Sequence, residues 1–202
     1  MLLLEVVIGP RLSLFDLLGL PVPPTWLRVP LLLGCALMLV RILAGLSLSK
    51  IGLYRWGEWS RTEKSYFVQT CIIANLIFSA LFVDRLRAIL ADPSLWGRVW
   101  PVLVTNFLWG FNQEVVYRGI LQTELVRRMG SLRGILVSNL FFTFGPLHFY
   151  HFSQTSSALP MFAGIFAIGL FFGVLFQRSG NLWMVAIFHG IGEIYLIGPL
   201  AR

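Results

Sequence analysis

The sequence predicts an all-α, polytopic membrane protein, a helical bundle of about six transmembrane helices preceded by an N-terminal interfacial segment. Of its 202 residues, 57% are hydrophobic and only 12% are charged, and the mean hydropathy is +0.79. Apolar runs long enough to cross a hydrocarbon core of about 30 Å recur along the chain. A soluble helical bundle would need a polar face on its surface helices, which this composition does not supply.

The chain divides into an N-terminal interfacial segment, two spans with their loops and a C-terminal unit of four helices, over residues 1–28, 29–98 and 99–202. In the first segment, charged residues and prolines interrupt the apolar residues, as in an interfacial helix that ends in a turn. Between the first two spans, basic and aromatic residues predict a loop at headgroup level over 49–64. Asp92-Pro93 predicts a break in the connection at 84–98. The six spans are predicted over about 29–48, 65–83, 99–128, 132–150, 160–177 and 182–199.

The third span contains about thirty residues, which is more than a simple crossing needs. We expect it to be tilted or to emerge as an amphipathic tail before Gly130. It is one helix only if the isolated Gly110 and Gly119 are tolerated within it. The fifth span carries Gly169 and Gly173 at a spacing that allows close helix approach in lipid.

The net charge of +7 does not indicate a nucleic-acid partner. In membrane proteins, Lys and Arg gather in short loops, where they set orientation and meet anionic headgroups. No DNA- or RNA-binding pattern accompanies the basic residues, so the expected partner is the lipid bilayer. Cys35 and Cys71 lie in apolar runs and support neither a disulfide framework nor a thiolate metal site. Met1 to Ile8 contains Glu5 and no basic region, so no cleavable signal peptide is expected.

A few ionisable residues lie inside the predicted spans, where each costs at least about 2.5 kcal/mol at the bilayer centre. They are Glu114 and Arg118 on the third span, His148 on the fourth, and His189 and Glu193 on the sixth. At about 1.5 Å per residue from one face of the membrane, the depths of Glu114, His148 and His189 are roughly 20, 22 and 17 Å. The sequence therefore predicts that these side chains meet near the midplane.

The spacing of these residues supports a shared interior site. Glu114 and Arg118 are four residues apart, so a carboxylate and a guanidinium can neutralise one another on one helical face. His189 and Glu193 repeat this spacing on the sixth span. Asn106, Gly110 and Gln122 continue the stripe of Glu114, so that this face is predicted to meet protein or a cavity rather than lipid.

The fourth span is predicted to bend before its histidine. Gly145-Pro146 breaks regular helix geometry and could turn the His148 imidazole toward the cavity. We expect His151, just beyond, to be a loop or interface residue. The nearby aromatic residues are expected to face lipid or to pack in the core; they are Phe141, Phe142, Phe144 and Phe149.

A carboxylate and two imidazoles in a water-accessible pocket can perform acid-base hydrolysis. The carboxylate takes a proton from the attacking water, and the imidazoles stabilise an oxyanion or protonate a leaving amine. Peptide hydrolysis within the membrane follows as a candidate reaction. Three alternatives remain: simple packing of a buried ion pair, a proton relay in a transporter, and a zinc site made by His148, His189 and a carboxylate. The chain has no His-Glu-x-x-His pair.

Three motifs resemble those of the CPBP membrane proteins, which include CAAX prenyl proteases and bacteriocin-processing enzymes and are also called the Abi family. They are Gln113-Glu114-x-x-x-Arg118-Gly119, Phe144-x-x-x-His148, and Asn181-Leu182-Trp183 leading into His189. The family signature is Glu-Glu-x-x-x-Arg, Phe-x-x-x-His and His-x-x-x-Asn or Asp, and the match covers about residues 100 to 198. The resemblance implies a cofactor-free intramembrane endopeptidase of the glutamic type and makes the C-terminal unit its catalytic core.

Carried over from the family, the site positions are Gln113, His148, His189 and Glu193, and two of the four differ from the pattern. An amide cannot act as a base, so the predicted base is Glu114, with Gln113 and Arg118 in supporting roles. Neighbouring helix positions point about 100° apart, so this substitution requires a rotated or distorted helix. Glu193 stands where the family has Asn or Asp and could instead supply the missing carboxylate from the other side of the pocket.

The resemblance implies a membrane-embedded or lipid-anchored protein tail as the substrate. It also implies an integral protein of the bacterial inner (cytoplasmic) membrane. The alternative is a catalytically silent family member that acts in membrane binding, immunity or scaffolding, an alternative for which Gln113 is the main argument.

Overall fold

The computed structural model describes residues 18–21, 23–145, 148 and 158–195, and this part of the chain is helical without a β-strand. The α-helices are α1 Thr25–Met38, α2 Arg61–Leu81, α3 Val83–Ala91, α4 Trp96–Glu114, α5 Thr123–Met129, α6 Ser131–Phe144, α7 Ala158–Ser179 and α8 Leu182–Tyr195. π-helical segments cover Leu39–Leu43 and Val115–Gln122, and short 3-10 helices cover Leu48–Ile51, Trp56–Glu58 and Pro93–Leu95.

Three of the described helices are long and apolar enough to cross a membrane; they are Thr25–Ile42, Arg61–Leu81 and Ala158–Ser179. α6 and α8 are apolar but have only 14 residues each, which corresponds to about 21 Å. The prediction of an all-helical membrane protein is therefore confirmed, whereas the number of six spans is not established. The predicted ends of the fourth and sixth spans, most of the interfacial segment, Pro146, Phe149 and His151 lie outside the described residues.

Several predicted boundaries differ from those of the structure. α1 begins at Thr25, four residues before the predicted span, and buries Arg28 in its first turns. The predicted connection over 84–98 is itself largely helical, because it contains most of α3 and a 3-10 turn. The break at Asp92-Pro93 is present: the Asp92 carboxylate accepts a hydrogen bond from the Ser94 backbone N–H at 3.0 Å. This hydrogen bond caps the 3-10 turn Pro93–Leu95, which is followed directly by α4 at Trp96.

The predicted long third helix is continuous from Trp96 to Met129, but its middle is π-helical. The π-helical segment begins at Val115, directly after Glu114. Such segments insert extra backbone into a helical turn and occur frequently at functional sites. The helix is therefore regular at Gln113 and Glu114 and distorted from Val115 onward. Gly130, at φ 83°, separates this helix from α6.

The helix α8 packs chiefly against α4, and glycines permit their close approach. A Cβ atom on Gly110 would lie 3.0 Å from the Gly190 Cα atom. A Cβ atom on Gly119, further along the same helix, would lie 3.0 Å from Leu182 Cδ2. The two glycines that interrupt the third span in sequence are thus contact points for α8.

The remaining helices surround this central pair. α1 packs against α4 and buries Val29, Leu32 and Ala36 completely. α7 and α5 both pack against α6. α2 packs mainly against α8, and only 6% of its apolar window is buried inside the protein. The helices from α4 to α8 therefore form a compact unit that α1 and α2 flank.

The loop predicted at headgroup level, residues 49–64, is hydrogen-bonded to the start of α8. The Leu182 backbone N–H donates to the Gly52 carbonyl at 2.9 Å, and the Trp183 indole N–H donates to the Tyr54 carbonyl at 2.9 Å. Gly52 has a φ of 86°. The residues after Asn181 that resemble a family motif therefore anchor this loop and fix the N-terminal end of α8.

Replacing Gly52 by alanine is expected to destabilise the fold by about 1–3 kcal/mol, because a left-handed residue would acquire a side chain. The new Cβ atom would lie 2.8 Å from the Gly180 carbonyl oxygen and 2.9 Å from the Leu182 nitrogen. Thermal unfolding in detergent measures the change. The control is Gly57→Ala, because nothing lies within 4 Å of a Cβ atom there. Equal melting temperatures for the two variants would contradict this account.

Candidate active site

Glu114 lies at the centre of the candidate site with no exposed surface. Its Oε1 atom accepts hydrogen bonds from Arg118 Nη1 at 3.1 Å and from His189 Nδ1 at 2.6 Å. The first contact is within one helix, and the second joins α8 to the end of α4. The structure thus brings together Glu114 and His189, two of the three residues that the depth count placed at one level, and adds the Arg118 guanidinium.

The row of charges continues from His189 to Glu193. Nε2 of the imidazole lies 3.6 Å from Glu193 Oε1, and the Glu193 side chain is buried. Since His189 faces a carboxylate on each side, the second contact is attractive only when a proton lies on Nε2 or on Glu193. The order guanidinium, carboxylate, imidazole, carboxylate allows these buried groups to compensate one another.

Arg118 is held by more than its ion pair. Its Nη2 atom donates to the Gly169 carbonyl oxygen at 2.7 Å, and only 1% of the residue is exposed. Gln122, one turn later, donates in the same way to the Gly173 carbonyl at 2.8 Å. A Cβ atom on Gly169 would lie 2.2 Å from Asn139 Oδ1. The two glycines predicted to permit close approach therefore also present their carbonyl oxygens to side chains of the third helix.

His148 is itself helical but lies beyond the end of α6, so the predicted fourth span is not one continuous helix as far as His148. α6 ends at Phe144, and Gly145 has extended backbone angles. The Nδ1 atom of His148 lies 2.7 Å from the Phe142 carbonyl oxygen. A carbonyl oxygen only accepts hydrogen bonds, so Nδ1 carries the proton and the neutral ring has its lone pair on Nε2. In this tautomer Nε2 can accept a proton.

Gln113 is also buried, with 1% of its surface exposed. Within the described part of the chain, its Oε1 atom has no hydrogen-bond partner, and the same holds for Glu114 Oε2 and both polar side-chain atoms of Asn112. Unpaired buried polar atoms are rare, and a catalytic role is one common explanation. The Glu114 carboxylate therefore has one oxygen engaged by two donors and the other without a partner among the described residues.

The sequence interpretation missed two aromatic residues. Phe172 of α7 stacks on the His189 ring at a centroid distance of 5.2 Å. Phe142, which was grouped with Phe144 as packing, lies 2% exposed beside the site. Phe144 is 45% exposed and stacks on Phe162 instead. Ser138, one turn before Phe142, distinguishes the two rings. Its buried hydroxyl donates to the Tyr117 carbonyl, so this side of α6, which carries Phe142, faces protein.

The described residues do not contain a group of three His, Cys, Asp or Glu side chains arranged to hold a metal ion. Both ring nitrogens of His189 face carboxylate oxygens, so a metal ion would have to displace one of these contacts. The donor arrangement therefore does not fit the zinc site considered from the sequence.

The site lies within the part of the chain that matches a known family. Searches of curated proteins and of solved structures gave no match. Residues 94–194, half of the 202-residue chain, match the model of the family described as type II CAAX prenyl endopeptidase Rce1-like. This is a protease family, and its match agrees with the membrane-protein class of the fold. The chain belongs to the Rce1-like family of type II CAAX prenyl endopeptidases.

Proposed function

We propose that this protein is an intramembrane endopeptidase in which Glu114 activates the attacking water. Its substrate is a peptide bond in or near a hydrophobic or lipid-anchored C-terminal segment of another protein. The observation that carries the proposal is the Glu114 carboxylate: Oε1 is fixed by Arg118 and His189, while the buried Oε2 has no partner among the described residues. The family match supports peptidase activity in general.

In the first step, the oxygen of a water molecule attacks the scissile carbonyl carbon and its proton passes to Glu114 Oε2. The Nε2 lone pair of His148 accepts a hydrogen bond from the second hydrogen of this water, which stays on the oxygen, and so orients the water. Arg118 remains paired with Oε1 throughout, which holds the carboxylate in one rotamer. A tetrahedral intermediate with a negatively charged oxygen results.

In the second step, the carbon–nitrogen bond breaks and the leaving amine takes a proton. The contact between His189 Nε2 and Glu193 Oε1, at 3.6 Å, holds such a proton, because two unprotonated groups would repel one another. His189 then donates this proton to the amine. After the products leave, the proton on Glu114 passes to His189 and replaces the one that was donated. Glu193 thus serves as the proton-holding partner of His189.

The alternative is a catalytically silent membrane-binding protein. Gln113, at the position of the family's first Glu, is the observation that favours it. In that case the row from Arg118 to Glu193 would only fix the packing of α4, α7 and α8.

Cleavage by purified protein in lipid vesicles tests the proposal. Peptides that end in a hydrophobic tail, with and without an isoprenoid thioether, are incubated with the wild type and with Glu114→Gln, His148→Gln and His189→Gln. The matched control is Glu124→Gln, since this exposed carboxylate also pairs with arginine, and hydrogen bonds from Arg127 and Arg128 lower its pKa to about 2. Mass spectrometry identifies the products, and a chelator is added in a parallel arm.

The expected result is cleavage by the wild type and the Glu124 variant, insensitive to the chelator, with little or none by the three site variants. Cleavage that survives all three site substitutions would refute the assignment. Failure of the wild type to cut any tail would favour the silent alternative.

Replacing Glu193 by asparagine restores the family pattern and distinguishes two roles for this position. If Glu193 holds the proton for His189, the variant is expected to lower kcat by about 10²-fold, in the range of a lost acid-base partner. Initial rates at saturating peptide measure the effect, with Glu193→Gln as a second neutral variant. A higher kcat for Glu193→Asn would instead show that the carboxylate repels the oxyanion.

A further inference from the structure

Phe142 contacts three groups of the candidate site, and Tyr117 beside them, with one buried side chain. The Arg118 Cζ atom lies 4.1 Å from its ring centroid. The rings of His148 and His189 stand nearly perpendicular to it, with centroid distances of 5.0 and 5.9 Å. Tyr117 approaches in the same manner at 5.4 Å. One ring therefore contacts both imidazoles and the guanidinium that pairs with Glu114.

The backbone of the same residue adds a fifth contact. Phe142 lies in the last turn of α6, where carbonyl groups have no partner within the helix. Its carbonyl oxygen lies 2.7 Å from His148 Nδ1. The residue thus fixes the tautomer of His148 through its backbone and the position of the ring through its side chain.

We propose that Phe142 is a positioning residue that sets the geometry of His148, His189 and Arg118 relative to Glu114. This inference rests on the proposed function and adds a residue outside the family motifs. A ring face attracts a guanidinium, and ring edges and faces favour perpendicular neighbours, because the aromatic quadrupole is negative on the face and positive at the edge. An aliphatic side chain of the same volume would fill the space without this directional preference.

Phe144 provides the contrast within the same helix. It occupies the family's Phe-x-x-x-His spacing before His148, yet it is 45% exposed and its recorded ring contact is with Phe162. The ring that carries the directional contacts is therefore two residues earlier than the motif suggests. A change in ring electronics at 142 should affect the site, whereas the same change at 144 should not.

The experiment introduces mono-, di- and trifluorinated phenylalanine at 142 in the full chain, because fluorination weakens the quadrupole with little change in shape. We expect kcat for tail peptides to fall stepwise to about one tenth with the trifluorinated ring, at nearly constant KM. The same series at 144 is the control and should leave kcat unchanged. A flat series at 142, or equal losses at 142 and 144, would overturn the proposal.

A second measurement does not depend on cleavage. In lipid nanodiscs, the imidazole ¹⁵N signals of His148 and His189 should both shift when the trifluorinated ring is placed at 142 and stay in place when it is at 144. If the wild type cleaves no peptide, the proposed function fails, while these signals still decide whether Phe142 positions the histidines. Unchanged signals for both histidines would overturn the positioning role even in an active protein.

Discussion

Replacing Glu114 by glutamine is expected to lower kcat by at least about 10³-fold, because the variant loses the group that takes the proton from water. It should also destabilise the protein by about 3–5 kcal/mol, because Arg118 keeps its charge in a buried site after its counterion is removed. The remaining recorded partners of the guanidinium are the Gly169 carbonyl and the rings of Phe142 and Phe172. Peptide cleavage and thermal unfolding in the same vesicles measure the two effects.

A double variant separates these effects. Glu114→Gln combined with Arg118→Met removes both charges, and replacing a buried ion pair by apolar groups is often neutral for stability. We expect the double variant to regain most of the lost melting temperature but none of the lost kcat. Recovery of both together would show that Glu114 acts only by holding the fold, and it would remove the carboxylate from the mechanism.

The helical membrane class was predictable because it follows from composition and from the recurrence of apolar runs. The positions of Gly169 and Gly173 were also informative, since small residues at this spacing in an apolar helix predict close packing. The helical segment α3 was not predicted, because charged residues such as those around Asp84 are equally typical of a loop that connects two spans. The π-helical segment after Glu114 was not predictable either, because the residues from Val115 to Gln122 carry no local signal that distinguishes an i to i+5 hydrogen-bond pattern from a regular helix.

For the site, the sequence predicted which side chains lie close together better than it predicted the atoms with which each one pairs. Counting residues from the basic ends of the spans placed Glu114 and His189 at similar depths, and the structure shows them in contact at 2.6 Å. Counting cannot show which side of a helix another helix covers, so it could not separate Phe142 from Phe144. Counting side chains also leaves out the backbone carbonyl groups. In the structure, the Gly169 carbonyl accepts a hydrogen bond from Arg118, and the Phe142 carbonyl accepts one from His148.

Exchanging the two neighbouring residues tests which position of the third helix carries the base. The double variant Gln113→Glu with Glu114→Gln has the same composition and net charge as the wild type, but its carboxylate points about 100° away around the helix. Gly110, one turn before Glu114, packs on Gly190 of α8, so position 114 faces the helix that carries His189. The exchanged carboxylate would leave that face, and Arg118 and His189 would both lose the carboxylate that they share.

We therefore expect the exchange to lower kcat by about 10³-fold and to lower the melting temperature, because the new carboxylate and Arg118 would both be buried without their partner. The single variant Gln113→Glu is the matched control. It leaves Glu114 and its contacts with Arg118 and His189 in place, so cleavage should persist. An active exchange variant would mean that a carboxylate at 113 can work as in the family pattern and that Glu114 is dispensable. An inactive one, beside an active Gln113→Glu, would mean that the base of this protein stands one residue later than in the family pattern, with Arg118 and His189 as the groups that define its position.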